Sequence, residues 1–273
     1  MQQSFDTPGP TSLYVEIGSG DVQIRADDTA ETTVEVTGED AEDTTVEMRG
    51  EQIVVLGPHR RGGFLGRSHD LYVVVTMPVA SRLTTKLGSA DLDVTGSVGE
   101  TRLRSGSGDI RLDRVASEAG MDTGSGDITV REITGDLRVR TASGDVAVEC
   151  LGGSADVATA SGDVEIGSAA GEVSVKTASG DLRIREARKD VSLATASGDL
   201  TVDLMGAGQL QARNVSGDIR VGIPAGLPVW TDVNSMSGSV HSTLAGAGQP
   251  EEGEDFLALR AKTVSGDISL EQR

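Results

Sequence analysis

A tripeptide, Ser-Gly-Asp, recurs through the middle of this chain at every eighteenth position. The regular copies begin at Ser107, Ser125, Ser143, Ser161, Ser179 and Ser197. Ser89-Ala90-Asp91 extends the series by one unit toward the N-terminus, and Ser216-Gly217-Asp218 follows after a unit that is one residue longer. A fixed period over this many units is typical of a repeat fold in which each unit stacks on the next.

Within each unit, apolar residues alternate with polar ones, which indicates β-strands rather than helices. The apolar positions directly after the Asp are Ile110, Ile128, Val146, Val164, Leu182, Leu200 and Ile219. Successive side chains of a strand point to opposite faces, and we expect this apolar series to lie on the inward face. Aromatic residues are only 2% of the chain, and no proline lies between Pro78 and Pro224. The sequence therefore predicts a narrow core of small aliphatic side chains and an uninterrupted strand ladder.

These features predict an all-β fold, a single-stranded β-helix (β-solenoid) of about 18 residues per coil. We expect a right-handed helix, because parallel crossovers prefer that hand. The outlying copies at Ser19, Ser237 and Ser265 do not follow the rhythm. We predict an N-terminal cap of antiparallel β-hairpins over 1–77, the solenoid over 78–222, and C-terminal coils with a second cap over 223–273, forming one continuous domain.

The charge and composition exclude several classes of protein. The net charge of −19 disfavours binding of nucleic acid or anionic lipid by the body as a whole. One cysteine cannot form an internal disulfide, and no apolar run is long enough to span a membrane. The N-terminal residues lack a basic stretch followed by an apolar run, so we expect a cytoplasmic protein.

No enzyme motif is found in the sequence. The chain lacks a Gly-x-Ser-x-Gly nucleophile turn, a His-Glu-x-x-His zinc motif, a phosphate-binding loop and a dinucleotide fingerprint. The low aromatic content also disfavours a sugar-binding cleft. We therefore predict a protein without catalytic residues or cofactor.

The corner aspartates form the most prominent set of candidate ligands. They would stack in one file that includes Asp109, Asp127, Asp145, Asp163, Asp181 and Asp199. At the ~4.8 Å spacing of neighbouring strands, two carboxylates repel by about 0.9 kcal/mol in water. One hypothesis is that each Asp accepts hydrogen bonds from backbone N–H groups of its own turn, next to a glycine with positive φ. The alternative is that calcium ions lie between the turns.

A second candidate site is a basic, glycine-rich segment between two predicted strands. It contains Arg60, Arg61, Phe64 and Arg67 within a strongly acidic chain. Such a segment is suited to a phosphate, to an acidic partner or to the aspartate file of a neighbouring copy. The outward positions of the coils, in contrast, carry alternating charges such as Asp113 and Arg131, and we expect them to neutralise one another.

The repeats of the TASGDV type, flanked by a VVVTMP-like first strand and a VGIPAG-like last strand, resemble a bacterial family of β-strand repeat proteins known as "putative adhesin" domains. The resemblance covers most of the chain, and the repeats from Ser107 to Ser197 are its most specific part. It implies a single-chain β-helix and no assigned catalytic residues.

Together, these observations predict a non-enzymatic β-solenoid that serves as a scaffold or protein-interaction module. Its partner would be another protein or a second copy of the chain, with no nucleic acid and no membrane span. The alternative is a calcium-binding repeat module that uses the six corner aspartates. A carbohydrate-binding or carbohydrate-cleaving β-helix ranks third and would need a cleft that contains Trp230 with paired carboxylates.

Overall fold

The computed structural model describes residues 1–58, 70–244 and 253–273. Within these ranges the regular structure is β, apart from one 3₁₀ turn at Ala41–Asp43. The chain divides into two compact units, a first unit of Met1–Gly135 and a second unit of Asp136–Arg273. The predicted single-stranded β-helix is confirmed, with parallel strands whose equivalent positions recur every 18 residues. The right-handed sense and the predicted limits at residues 77 and 222 stay predictions.

The first unit contains the strands that we number β1 to β11. They are β1 (Gln2–Asp6), β2 (Ser12–Asp27), β3 (Glu31–Thr37), β4 (Thr45–Arg49), β5 (Gln52–Leu56), β6 (Leu71–Pro78), β7 (Arg82–Val98), β8 (Thr101–Ser107), β9 (Ile110–Val115), β10 (Ala119–Ser125) and β11 (Ile128–Ile133). Strand β7 pairs in parallel with β8 through its first half and with β9 through its second half. Strands β10 and β11 add the next coil, with Ile128 beside Ile110.

The N-terminal end of the first unit differs in part from the predicted hairpin cap. Strands β1, β3 and β6 pair antiparallel, as do β4 and β5. Strand β2, however, pairs in parallel with β7, and Asp21 lies beside Asp91. The prediction that residues 1–77 consist of antiparallel hairpins is therefore wrong for Leu13–Ile17, and Ser19-Gly20-Asp21 is the corner of a coil. Constant spacing could not reveal this coil, because 70 residues separate the paired positions Glu16 and Lys86.

The second unit contains β12 to β25. They are β12 (Leu137–Ser143), β13 (Val146–Leu151), β14 (Ala155–Ser161), β15 (Val164–Ala169), β16 (Val173–Lys176), β17 (Leu182–Ala187), β18 (Val191–Ala194), β19 (Leu200–Met205), β20 (Gly208–Arg213), β21 (Ile219–Ile223), β22 (Val229–Ser237), β23 (Val240–Ser242), β24 (Leu257–Ser265) and β25 (Ile268–Gln272). The even-numbered strands form one face of the coils and the odd-numbered strands the other.

The last two coils of the second unit are not stacked in chain order. Strand β24 pairs with β20 on one side and with β22 on the other, and β25 lies likewise between β21 and β23. The coil of β24 and β25 is thus inserted between two coils that precede it in the sequence. The coil of β22 and β23 becomes the terminal one of the unit.

The core consists of the aliphatic positions that alternation predicted. Ile110, Ile128, Val146 and Val164 are each no more than 2% exposed. The last residue of the second strand of each coil is also buried. These residues are Val115, Ile133, Leu151, Ala169, Ala187 and Met205. Because equivalent side chains lie beside one another on adjacent coils, their removal from water stabilises the stacking of each coil on the next.

Candidate interaction surface

The aspartates of the Ser-Gly-Asp corners accept backbone hydrogen bonds from the neighbouring coil. In the second unit, the N–H of Asp163 donates to Oδ1 of Asp145 at 2.8 Å, and the N–H of Asp181 donates to Oδ1 of Asp163 at 2.7 Å. In the first unit, the N–H of Asp109 donates to Oδ1 of Asp91 at 2.8 Å. The predicted acceptor role is confirmed, but the predicted donor within the same turn is wrong. Stacking at ~4.8 Å brings the N–H of the next coil within reach of each carboxylate.

The corner glycines permit this stacking. Gly162 and Gly180 have φ values of +127° and +135°, a conformation that side chains other than glycine rarely adopt. A Cβ atom at Gly180 would lie 2.2 Å from the carbonyl oxygen of Gly162 in the coil beside it. The corner therefore needs glycine both for its backbone angle and for the close approach of the next coil.

The second oxygen of some corner aspartates binds arginine. Asp109 Oδ2 accepts from Arg111 at 2.9 Å, and Asp199 Oδ2 accepts from Arg220 at 3.0 Å. The hydrogen bond with Asp199 raises the pKa of the Arg220 guanidinium. Within the described ranges, no three His, Cys, Asp or Glu side chains come together so that they could hold a metal ion. The calcium hypothesis stays a prediction, and such an ion would compete with these hydrogen bonds.

The outward positions of the first unit neutralise one another as expected. Arg131 donates to Asp113 on the adjacent coil, and this hydrogen bond lowers the pKa of the Asp113 carboxyl. Arg104 lies 3.8 Å from Asp122 in the same way. Both pairs are solvent-exposed, so each contributes only modestly to stability. This part of the surface has no large excess of either charge along the ladder.

The even-numbered strands of the second unit present a different surface, which we call the cationic face. Its central column consists of outward positions that lie beside one another on successive coils. The column contains Arg140, Ala158, Lys176, Ala194, Arg213, Lys262 and Asn234. Alanines separate the first three cations from one another, so Lys176 has Ala158 and Ala194 beside it within the column.

Three cations of this column have no ion-pair partner among the residues that the structure describes. These are Arg140, Lys176 and Arg213, and all three are solvent-exposed. Lys262, in contrast, lies 3.3 Å from Asp232 on the terminal coil. Arg140 and Lys176 are two coils apart, as are Lys176 and Arg213, which corresponds to ~9.6 Å at the ordinary strand spacing. The result is an evenly spaced row of three cations that form no ion pair with a described residue, in a protein of net charge −19.

A column of small and apolar residues runs beside the row of cations. It contains Ala142, Ala160, Ala178, Ala196, Val215, Val264 and Met236, all of them exposed. The exposed fraction is 53% for Val215, 44% for Val264 and 78% for Met236. Val215 and Val264 lie on neighbouring coils, where the N–H of Ser265 donates to the carbonyl of Val215 at 2.9 Å. Seven uncharged, exposed side chains in one continuous column are more typical of a contact surface than of a surface that binds no partner.

The expectation that outward positions neutralise one another is therefore wrong for the cations of this column, whereas the odd-numbered strands of the same unit carry pairs such as Arg183 with Asp203. The relevant signal was present in the sequence but has twice the period of the repeat. Arg140 and Lys176 are two repeat units apart, and Arg213 follows after two further units, one of which has an extra residue. A comparison of adjacent units alone shows Asp122 one unit before Arg140 and an alanine one unit after it, and misses the row.

Other residues that the sequence singled out are not members of this row. The predicted interaction residues Arg60, Arg61, Phe64 and Arg67 lie outside the described residues. Trp230 is 51% exposed on the terminal coil, with the Arg260 guanidinium 5.5 Å from the centre of its ring. A cavity of about 660 Å³ in the first unit is lined by residues that include Pro8, Met48 and Arg82, but not Trp230. The carbohydrate alternative, which needs a cleft that contains Trp230, stays a prediction.

The sequence profile of the Toastrack DUF4097 family matches residues 11–271. The chain belongs to this family. The match includes both units, and it includes the coil of β2 and the coil of β24 and β25, which constant spacing did not identify. Among curated proteins, none matches the chain. Within the described ranges, no helix has the length and apolar character needed to cross a membrane.

Three of the solved structures that are similar to the Toastrack chain have low sequence identity and low TM-scores. A "putative lipid binding protein" from Parabacteroides distasonis is 15% identical with a TM-score of 0.44, covering 100% of this chain and 96% of its own. A "putative cell adhesion protein" from Clostridium sporogenes is 12% identical with a TM-score of 0.24, covering 100% and 99%. A "putative adhesin" from Bacteroides fragilis is 11% identical with a TM-score of 0.35, covering 100% and 96%.

Proposed function

We propose that this Toastrack chain is a non-catalytic β-solenoid scaffold that binds an acidic segment of another protein along its cationic face. The observation that carries the proposal is the row of Arg140, Lys176 and Arg213, which have no ion-pair partner among the described residues. Each cation projects from a ladder whose backbone is hydrogen-bonded on both sides. The row is therefore held at constant spacing before any partner binds, which lowers the entropic cost of binding.

The spacing of the row favours one conformation of the bound segment. A polyproline II helix has three residues per turn and rises ~3.1 Å per residue, so every third side chain projects in the same direction at ~9.3 Å intervals. This interval matches the ~9.6 Å between cations that are two coils apart. A segment with Asp or Glu at every third position would thus place its carboxylates against successive cations. Its intervening residues would contact the neighbouring apolar column, as proline-rich ligands do in other recognition grooves.

The electrostatic part of this interaction has a clear signature. Charges on an exposed face attract an acidic ligand through solvent, so the affinity falls as salt concentration rises. The overall charge of −19 opposes approach of acidic ligands elsewhere on the protein. The cationic face should therefore both select the ligand and direct where it binds.

The test uses fluorescence anisotropy with a labelled peptide of four Glu-Pro-Pro triplets. The first variant carries Arg140→Gln, Lys176→Gln and Arg213→Gln. The matched control carries Arg183→Gln and Arg185→Gln on β17 and Arg188→Gln just after it, where the cations pair with acidic residues. Both variants change the net charge equally, and circular dichroism checks that both are folded.

We expect the wild-type chain to bind the peptide with an affinity that weakens as sodium chloride is raised. The first variant should lose at least about tenfold in affinity, and the control should stay within about twofold. A peptide in which the same residues are rearranged as one block of Glu should bind less tightly than the triplet peptide. Failure of the wild-type chain to bind, or equal loss in the two variants, would overturn the proposal.

A further inference from the structure

The terminal coil of the second unit has one open side among the described residues. Within that part of the chain, β24 is the only strand that pairs with β22, and β25 is the only strand that pairs with β23. The corresponding coil of the first unit is covered, because β4 pairs with β5 and β3 pairs with β6. An open strand carries unused backbone donors and acceptors and is a template for pairing with another strand.

The backbone of β22 shows which of its groups are available. The N–H of Leu257 on β24 donates to the carbonyl of Pro228 at 2.9 Å. Backbone groups alternate between the two sides of a strand, so the N–H and C=O of residues 230, 232 and 234 face β24. The N–H and C=O of Thr231, Val233 and Ser235 therefore face away from it, toward the open side.

A further coil of the same kind does not fit this side. In the interior coils, the corner Asp accepts the backbone N–H of the next corner, and the last such bond runs from the N–H of Ser239 to Asp267 Oδ1 at 2.8 Å. Ser239 occupies the Asp position of the terminal coil, so the file of carboxylates ends there. The inward positions are also more polar, since Thr231 lies beside Leu259 and Ser242 beside Leu270. Parallel continuation of the solenoid would lack both the corner bond and a fully apolar core.

An antiparallel copy of β22 fits the open side better, because its sequence is self-complementary about Val233. In that register Val233 meets Val233, Thr231 meets Ser235, and Asp232 meets Asn234. Trp230, which is 51% exposed, meets Met236, which is 78% exposed. Hydroxyls face hydroxyls, a carboxylate faces an amide, and a thioether faces an aromatic ring, which is a favourable contact. No pair in this register brings two like charges together.

We infer that β22 is a self-association edge, and that two copies of the chain form a dimer by pairing their β22 strands antiparallel with Val233 at the two-fold axis. The symmetry is closed, so the assembly ends at two copies instead of growing into a fibre. The backbone bonds supply affinity and the side-chain pairs set the register. The edge is separate from the row of Arg140, Lys176 and Arg213, so this inference and the proposed function can fail independently.

The first test measures mass by light scattering after size-exclusion chromatography and by sedimentation equilibrium over a range of protein concentrations. We expect a dimer that dissociates on the order of 1–100 μM, as for interfaces at the small end of the range. Val233→Pro removes an N–H that faces the open side, and should convert the protein to a monomer without breaking a bond to β24. The control, Val79→Lys, changes a residue in the first unit that is 42% exposed and should leave the dimer intact.

The second test does not depend on proline being tolerated. In a Cys150→Ser background, Val233→Cys places one thiol at the two-fold axis, where opposed Cα atoms in an antiparallel pair lie ~5.5 Å apart. Mild oxidation should give a covalent dimer. Val264→Cys, one coil further in, should give little. A wild-type protein that stays monomeric at all concentrations would overturn the inference. So would a dimer that persists in Val233→Pro, or covalent dimers that form in the Val264→Cys variant but not in the Val233→Cys variant.

Discussion

The structural role of the corner aspartates can be tested at Asp163. Its Oδ1 accepts the N–H of Asp181 at 2.7 Å, while its own N–H donates to Asp145. Asp163→Ala deletes the acceptor and leaves the Asp181 N–H to partial hydration. The geometry resembles that of a helix N-cap, where the corresponding loss is about 1 kcal/mol. We expect Asp163→Ala to lower the free energy of unfolding by that amount.

Asp163→Asn separates hydrogen bonding from charge. The Asn side chain keeps an Oδ1 acceptor, and it removes repulsion from the carboxylates of Asp145 and Asp181, which is about 0.9 kcal/mol for each pair in water without salt. Salt reduces this relief, and the amide is a weaker acceptor than a carboxylate. The two effects oppose one another, so the free energy of unfolding should stay within about 0.5 kcal/mol of the wild-type value.

Urea unfolding followed by far-ultraviolet circular dichroism measures these changes. The midpoint should fall in Asp163→Ala with an unchanged slope, and should stay nearly constant in Asp163→Asn. Asp156→Ala is the control, because Asp156 is an outward residue 3.5 Å from Arg138 and should cost less than about 0.5 kcal/mol. If Asp163→Asn destabilises the protein as much as Asp163→Ala, the carboxylate charge itself is needed, and a bound cation becomes the better explanation.

Three further outcomes are expected. Val146→Asp should unfold the second unit or lower the free energy of unfolding in urea by several kcal/mol, because it places a carboxylate at a position that is 2% exposed in an apolar core. A decrease below about 1 kcal/mol would contradict the packing. Chelation with EDTA should leave the melting temperature and circular dichroism unchanged, and a clear drop in either would revive the calcium hypothesis. The hydrogen bond to Glu16 raises the pKa of Tyr14 from 10.0 to about 12. The stabilisation it provides should thus be complete below pH 10 and disappear as the pH rises toward 12, while Glu16→Gln should return the phenolate absorbance transition of Tyr14 toward pH 10.

The repeated part of the fold could be predicted because one period controls both sequence and structure. Constant spacing places each residue beside its equivalent on the next coil, so Val146 lies beside Val164, and Val164 lies beside Leu182. Alternation within the unit then identifies the buried side chains. Each local preference agrees with the stacking, including the corner glycine and the strand-forming residues that follow it.

The two ends could not be predicted from spacing because their coils are inserted out of chain order. Glu16 on β2 contacts Lys86 on β7 across 70 residues of chain, and the N–H of Asp267 donates to Asp218 across 49 residues. Spacing identifies only consecutive units. The tripeptides at Ser19 and Ser265 were nonetheless genuine corners, so the motif itself was a better guide than its interval.

The cationic face was missed for a related reason. Its charges are determined by which side chains neighbour one another across coils, and Lys176 is compensated or not depending on the residues beside it on the two adjacent coils. Ala158 and Ala194 occupy those positions. Once the register is known, the row follows directly from the sequence. Before it is known, the excess of acidic residues in the whole chain conceals a local excess of basic ones.

The register of the coils is the central claim, and disulfide formation between neighbouring coils tests it most directly. Ser174 and Ser192 are direct neighbours on β16 and β18. In a Cys150→Ser background, Ser174→Cys with Ser192→Cys should cross-link on mild oxidation, because their Cα atoms at ~4.8 Å are within the range for a disulfide. Ser174→Cys with Ala194→Cys, displaced by two residues, should not cross-link. Equal cross-linking of the two pairs, or cross-linking of the displaced pair alone, would contradict the stacked register on which the fold and both proposed surfaces depend.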